Sequence, residues 1–167
     1  PTSKKALASL SENYSGVSVI TYDPVSYAGI LDANLADFGK RAIPTYHFDK
    51  AKVIVSFDAD FLGTWISPIE YAHQYSKKRK INAKNPKMSR HIQVESHMSM
   101  TGSNADNRIL VKPSEQGAAI AYLASKIIGG NGPSFSNDKA KAALNKVANQ
   151  LSANRGNSLI ISSSNNV

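Results

Sequence analysis

The stretch that most restricts the fold is Ala51–Phe57, which reads AKVIVSF. It is a short, nearly continuous run of apolar and β-branched residues, as is typical of a strand that is covered on both faces. A strand with one face in water would alternate between apolar and polar residues instead. The run therefore predicts a central strand of a parallel sheet, with helices packed on both sides of it.

The rest of the chain alternates strand-like and helix-like stretches around this run, which predicts an α/β fold with a mostly parallel, Rossmann-like sheet. The stretch 16–22 is β-branched and precedes a helix that Asp23-Pro24 opens, and Gly39 follows that helix at the position of a C-cap. Ser114 is an expected N-cap. The predicted strands are 16–22, 51–57, 90–95, 109–111 and 158–162, and the predicted helices are 24–38, 68–79, 114–128 and 138–153.

Helical spacing predicts which side chains face the sheet. In the last helix these are Ala143, Leu144, Val147 and Leu151. In the two earlier helices they are Ile30, Leu31, Leu35 and Phe38, and Ile69, Ala72 and either Tyr75 or Ser76.

Length and composition limit the function. A chain of 167 residues fits a single domain, residues 1–167, and because it begins with Pro and ends directly after a strand-like run, we expect it to be a segment of a longer polypeptide. Its lack of cysteine excludes iron–sulfur clusters and thiolate zinc sites within this chain. A net charge of +8 favours anionic partners, although the basic run 77–80 also suits the carbonyl end of a helix.

Ligands of open parallel sheets bind at the carboxyl ends of the strands, so residues just after the predicted strands are the candidate site. Asp58 and Asp60 follow one strand, and Glu95, Ser96 and His97 end or follow the next. These carboxylates could serve as an acid–base pair, bind a hard cation or hydrogen-bond a ribose or guanine. Alternatively, Asp58 and Asp60 cap a helix or bind loop amides.

Other chemistries find little support in the sequence. The four histidines have neither HxH nor HExxH spacing, and no G-x-S-x-G motif is present. Gly129-Gly130-Asn131-Gly132 follows a predicted helix and is typical of a C-cap and turn. Because basic residues do not interleave with aromatic ones, we expect no nucleic-acid partner.

Two longer stretches carry a resemblance. DKAKVIVSFDADFLGTWISPIEYAHQYSKKRKI and SRHIQVESHMSMTGSNADNRILVKPSEQGAAIAYLA are similar to the molybdopterin oxidoreductase superfamily. Within it they most closely resemble the molybdopterin-oxidoreductase-like region of the iron–sulfur subunit of alternative complex III. The implied fold is that of the cofactor-binding domain of formate dehydrogenase and dimethyl sulfoxide reductase.

The resemblance also implies a site. Superfamily members grip the guanosine and pyrophosphate of a molybdopterin guanine dinucleotide with residues that follow their strands. The matching residues here would be vestigial contacts: Asp58, Asp60, Glu95, Ser96, Ser99, Thr101, Asp106 and Ser114. Ser114 and His97 replace the Gly and Arg of the family pattern, which weakens the grip.

The function implied is that of a non-catalytic scaffold domain in a membrane-bound, quinol-oxidising respiratory electron-transfer complex. It would hold no cofactor, its iron–sulfur clusters would lie elsewhere in the polypeptide, and its partners would be the other subunits of the complex. It would lie on the extracytoplasmic face of the bacterial cytoplasmic membrane without inserting into it. One alternative is a domain that still binds molybdopterin guanine dinucleotide, as part of a molybdenum oxidoreductase. Another is a stand-alone Rossmann-like protein that binds a small molecule or a nucleotide.

Overall fold

The computed structural model describes residues 2–20, 22, 24–81, 83 and 86–164. Strands and helices alternate through most of this range, and a 3-10 turn at Pro113–Glu115 precedes the fifth helix. The strands are β1 (Val53–Phe57), β2 (Arg90–Glu95), β3 (Asn107–Leu110) and β4 (Ser158–Ser162). The helices are α1 (Thr2–Asn13), α2 (Ala28–Phe38), α3 (Pro68–Arg79), α4 (Met100–Ser103), α5 (Gln116–Ile128) and α6 (Asp138–Ala153).

The four strands form one parallel sheet in the order β3-β2-β1-β4. Val53 of β1 is in register with Arg90 of β2 and with Ser158 of β4, and every residue of β1 is buried. This confirms the predicted α/β class and the central position of β1. The chain leaves β1 toward β2 and β3 and later returns to the other side of β1, which is the strand order of half a doubly wound sheet.

The sheet has a different core on each face. Val55 and Val94 point toward α5 and α6, where Leu144, Val147 and Leu151 complete an aliphatic cluster. The opposite face packs against α3 and the loops around it and is rich in rings, among them Phe48, Phe61, Trp65, Tyr71 and Tyr75. Phe48 and Phe61 stack with their ring centroids 4.3 Å apart. Helices therefore cover both faces, as predicted.

Several expectations for the first forty residues are wrong. Residues 17–20 and 22 form no strand, and Ile20 and Tyr22 are exposed; Thr21 and Asp23 lie outside the described residues. Strand propensity is worth only about 1 kcal/mol per residue and cannot hold a strand that has no partner in a sheet. Helix α1, which has no buried residue, was not predicted from the sequence.

The helix over 24–38 is shorter than predicted, and part of its inner face is wrong. Helix α2 begins at Ala28, although Gly39 is the predicted C-cap, with a left-handed backbone at φ 67° and its N–H bonded to Leu35 O. Leu35 and Phe38 are exposed rather than buried. Only Ile30 of the predicted face packs against the ring-rich core.

Smaller errors concern the third and fifth helices. Helix α3 has the predicted bounds, but Ile69 is exposed, while Tyr71, Gln74 and Tyr75 are buried. The core therefore touches a face of α3 that is rotated from the one that apolar spacing predicts. Ser114 is not an N-cap, because the 3-10 turn precedes α5 and Lys112 occupies the cap position of that turn.

Candidate functional site

Asp58 lies at the switch point of the sheet, where β1 ends between β2 and β4. Its backbone is left-handed at φ 54°, a conformation that Asp tolerates better than most residues. The Asp58 N–H donates to Val94 O at 2.8 Å, and Ser163 Oγ donates to Asp58 O at 2.8 Å. The Asp58 carboxylate accepts hydrogen bonds from the side-chain amide of Gln116 and, at 3.4 Å, from the N–H of Ser96. Asp58 thus ties the ends of three strands to α5.

Asp60 holds the loop after β1 against α4. Its Oδ1 accepts from Thr101 N at 2.9 Å and from Thr101 Oγ1 at 2.7 Å. Thr101 Oγ1 in turn accepts from Leu62 N at 2.9 Å. Thr101 is fully buried, so the reciprocal bonds fix both loops. The Asp60 carboxylate thus binds an amide and a hydroxyl of α4.

Glu95, at the end of β2, is a fully buried carboxylate with three neighbours. Arg108 Nε lies 2.6 Å from Oε1, and Ser99 Oγ donates to Oε2 at 2.6 Å. Ser99 is also the N-cap of α4, since its Oγ accepts from Gly102 N at 2.9 Å. A Cβ at Gly102 would overlap the Glu95 carboxylate, so glycine is required there by close approach. The carboxylate fills the space beneath α4.

Glu95 belongs to a row of buried polar side chains on one face of β2. His91 and Gln93 precede it on that face, and all three are fully buried. His91 Nδ1 lies 3.0 Å from the Tyr75 hydroxyl, and His91 Nε2 lies 3.3 Å from Gln93 Oε1. Burial lowers the pKa of His91 from 6.5 to about 4, because the imidazolium would lose its hydration. The imidazole is therefore neutral at pH 7, whereas Glu95 at the other end of the row is ion-paired.

A pocket of about 470 Å³ opens at this edge, beside the loop that precedes α2. Asp58, Asp60, Ser99 and Trp65 line it, and His97 stands exposed on its rim. The indole N–H of Trp65 is buried and has no hydrogen-bond acceptor among the described residues. The pocket therefore has a buried hydrogen-bond donor, the Trp65 indole N–H, near the carboxylates of Asp58 and Asp60.

The structure gathers most of the predicted site residues and separates two of them. Those at the pocket or bonded to its walls are Asp58, Asp60, Glu95, Ser96, Ser99 and Thr101. Asp106 lies at the opposite edge of the sheet, because it precedes β3, and it pairs with Arg79 at 2.7 Å. That pairing keeps the pKa of Asp106 below its ordinary value. Ser114 is exposed on the 3-10 turn.

Two residues that the sequence did not single out complete the site. Arg108 is the counter-ion of Glu95, and Gln116 binds Asp58. Polar residues alternate along RHIQVE, the sequence of β2, and this pattern could have indicated Arg108. Buried polar groups in a central strand need hydrogen-bond partners, and the neighbouring strand can supply them. Gln116 gave no comparable signal.

The hydrogen bonds decide what this edge can do chemically. An N–H group near a helix start can bind phosphate when it is free, but those of Ser96, Ser99, Thr101 and Gly102 already point at oxygens of the chain. Three carboxylates lie at this edge against one arginine, so a phosphate would also meet net negative charge.

No group of three or more His, Asp or Glu side chains among the described residues is arranged to hold a metal ion. No helix in the described part of the chain is both long and apolar enough to cross a membrane. Comparison of the sequence with protein-family models and with curated proteins found no match.

Proposed function

We propose that the chain is a non-catalytic scaffold domain of a membrane-bound, quinol-oxidising electron-transfer complex, as its resemblance to the iron–sulfur subunit of alternative complex III implies. The observation that supports a scaffold role is that the hydrogen-bond donors at the carboxyl edge already bind carboxylates of the same chain. Asp60 and Glu95 take up the donors of the loop that superfamily members use to grip a dinucleotide. A domain of this kind contributes packing surface to its neighbours while iron–sulfur clusters elsewhere in the polypeptide carry the electrons.

Energetics support the same role. Opening this edge for a dinucleotide would require Thr101 and Ser99 to exchange charge-assisted hydrogen bonds for bonds to phosphate. It would also leave the Asp60 and Glu95 carboxylates in contact with an anion, and like charges at such distances repel each other. This rearrangement would cost free energy and so lower the affinity of the edge for a dinucleotide.

The full-length polypeptide isolated from membranes tests the proposal. The complex should be purified through a tag on the subunit that carries this chain, and its quinol oxidation and metal content should be measured. We expect quinol oxidation to co-purify with the polypeptide and molybdenum to be far below one atom per polypeptide. Stoichiometric molybdenum, or a polypeptide that purifies without quinol oxidation, would contradict the scaffold role.

The second candidate function is binding of molybdopterin guanine dinucleotide, in a molybdenum oxidoreductase. It is favoured by the pocket of about 470 Å³ and by the unpaired indole N–H of Trp65, which could donate to a guanine or ribose oxygen. The contacts would come from Asp58, Asp60 and Ser99, with Ser96 and Thr101 behind them.

A nucleotide titration separates the two functions. With guanosine diphosphate at about 1 mM, a Kd of about 100 μM would raise the free energy of unfolding by roughly 1.4 kcal/mol. The scaffold role predicts no change in thermal unfolding and no heat in calorimetry. A saturable shift that is lost in Trp65→Phe, which removes the indole N–H and keeps an aromatic ring, would support nucleotide binding instead.

A further inference from the structure

A basic groove runs along α6, from near the end of β3 to the opposite, amino edge of the sheet. Two adjoining cavities of about 510 and 460 Å³ share Arg90 and Gln150, so they form one continuous depression that we call the amino-edge groove. One wall is α6, and the other is formed by residues 107–109 of β3, by the starts of β1 and β2 and by residues 87–89. The groove is separate from the pocket at the carboxyl edge.

The groove carries uncompensated positive charge. Arg108 also lines it but is paired with Glu95, and no carboxylate stands among the described residues that line it. Within the described part of the chain, Arg90 donates to a neutral group, the side-chain oxygen of Asn107. The remaining cations on its walls are Lys52, Lys78, Lys87, Arg90, Lys139 and Lys146.

Two buried polar atoms on the groove wall lack partners. Ser89 is 4% exposed, and its Oγ has no hydrogen-bond partner among the described residues; the same holds for Gln150 Oε1, at the junction of the two cavities. Burying such an atom without a hydrogen bond costs about 1–3 kcal/mol.

The dimensions of the groove suit an extended polypeptide. Lys139 and Asn154 lie at its two ends along α6, and a helical rise of 1.5 Å per residue places them roughly 22 Å apart. An extended chain covers that distance with about seven residues. Among the apolar residues on its walls, Met88 is 47% exposed and could pack against a side chain of such a segment, whereas Val53, Ile92 and Val147 are buried in the core.

We infer that the amino-edge groove binds an extended acidic segment of a partner protein. A single nucleic-acid strand needs aromatic side chains on which its bases stack, and no aromatic residue lines the groove. A membrane presents a broad surface of headgroups, which a concave groove between a helix and strand ends fits poorly. The inference goes beyond the scaffold role and does not depend on it, because any acidic partner segment would satisfy it.

A binding experiment on the whole chain tests the inference. The probe is a fluorescein-labelled peptide of about 12 residues, half of them Asp or Glu and the rest Leu, Ser and Val, so that it exceeds the groove length. We expect saturable binding whose Kd rises about tenfold in Lys139→Glu/Lys146→Glu, since both exposed lysines would then repel the peptide. Lys4→Glu/Lys5→Glu on α1 gives the same change in net charge and should alter the Kd less than about twofold.

Three further measurements test whether the groove binds a different kind of ligand. The same variants are assayed with a Gln-for-Glu peptide, with vesicles that contain phosphatidylglycerol and with a single-stranded oligonucleotide. Preference for vesicles or oligonucleotide over the acidic peptide would overturn the inference. So would an equal loss of affinity in both charge-reversal pairs, because that result reports net charge alone. Absence of peptide binding at low salt, in protein with an unchanged thermal unfolding curve, would also overturn it.

Discussion

The two edges of the sheet use charge in opposite ways. At the carboxyl edge, Asp58, Asp60 and Glu95 are anions that bind neighbouring amides, hydroxyls or an arginine. In the amino-edge groove along α6, Lys139 and Lys146 are exposed cations, and no carboxylate stands beside them among the described lining residues. Charge that is satisfied within the chain stabilises the fold, whereas charge left unsatisfied is available to a partner.

The largest expected effect comes from breaking the ion pair at the carboxyl edge. Arg108→Met leaves the fully buried Glu95 carboxylate without its counter-ion. Because the Arg108 side chain is itself 28% exposed, the loss should lie at the lower end of the about 3–5 kcal/mol that an uncompensated buried charge costs. Urea unfolding should therefore show a loss of at least about 3 kcal/mol.

The matched control is Arg90→Met, at the amino edge. Arg90 is exposed, and its side-chain partner among the described residues is the neutral Asn107, so its replacement should cost less than about 1 kcal/mol. Equal losses in the two variants would mean that the edges do not differ as described. The double variant Glu95→Gln/Arg108→Met should recover part of the loss, because no unpaired charge remains.

The next largest effect on stability should come from low pH, and it should act through His91, at the other end of the buried polar row from Glu95. The pKa of His91 is about 4 in the folded protein, below its ordinary 6.5, so the unfolded chain takes up a proton first as the pH falls. The resulting stability is fully present above pH 6.5 and decreases toward pH 4 by about 3 kcal/mol, at 1.36 kcal/mol per pKa unit. The lowered pKa of Asp106 acts below that window, since the ordinary value is 3.8.

Unfolding free energies measured across this pH range check the assignment to His91. His91→Gln keeps an amide near Tyr75 but removes the titrating ring, so it should flatten the pH dependence even if it lowers overall stability. His73→Gln on the exposed side of α3 should leave the dependence unchanged. A slope that survives in His91→Gln would contradict the assignment.

A smaller effect on stability is expected at Gly102, where the backbone of α4 lies directly against the Glu95 carboxylate. A Cβ in Gly102→Ala would displace the Glu95 carboxylate from Ser99 and Arg108, at a cost of about 1–3 kcal/mol. Gly117→Ala in α5 meets nothing within 4 Å and should instead stabilise by about 0.5–1 kcal/mol. Thermal unfolding of both variants tests this, and a stabilised Gly102→Ala would show that the space beneath α4 is open.

The smallest effect should be found in the groove. Lys146→Glu places an anion among several cations, so the isolated chain should become more stable by a few tenths of a kcal/mol while it loses affinity for the acidic peptide. Urea unfolding and peptide titration of the same sample measure both quantities. A clear loss of stability would show that Lys146 is structural and does not serve a partner.

The sequence predicts the central elements well because several signals agree there. The apolar run of β1 and the amphipathic pattern of α6, with Leu144, Val147 and Leu151 on one face, both match the structure. Prediction fails where a segment lacks a partner: residues 17–20 have strand composition but pair with no strand. The exposure of Phe38 and Ile69 follows from tertiary packing that periodicity cannot express.

The candidate site is only partly predictable, for a related reason. The switch-point rule locates Asp58, Asp60 and Glu95 correctly, since it depends only on strand order. Asp106, which the family resemblance implied, lies elsewhere, because a residue that precedes a strand lies at the opposite edge from one that follows it. The Glu95–Arg108 pair requires the register of β2 against β3, in which Gln93 faces Arg108, and no local pattern encodes that register.

The most direct test of the contrast between the edges is one set of amide spectra of the isotope-labelled chain, titrated separately with guanosine diphosphate and with the acidic peptide. The account predicts no nucleotide-induced shifts at Asp58, Asp60 or residues 96–104. It predicts peptide-induced shifts along α6 and at the starts of β1 and β2. Nucleotide shifts at the carboxyl edge together with an unresponsive amino-edge groove would contradict it.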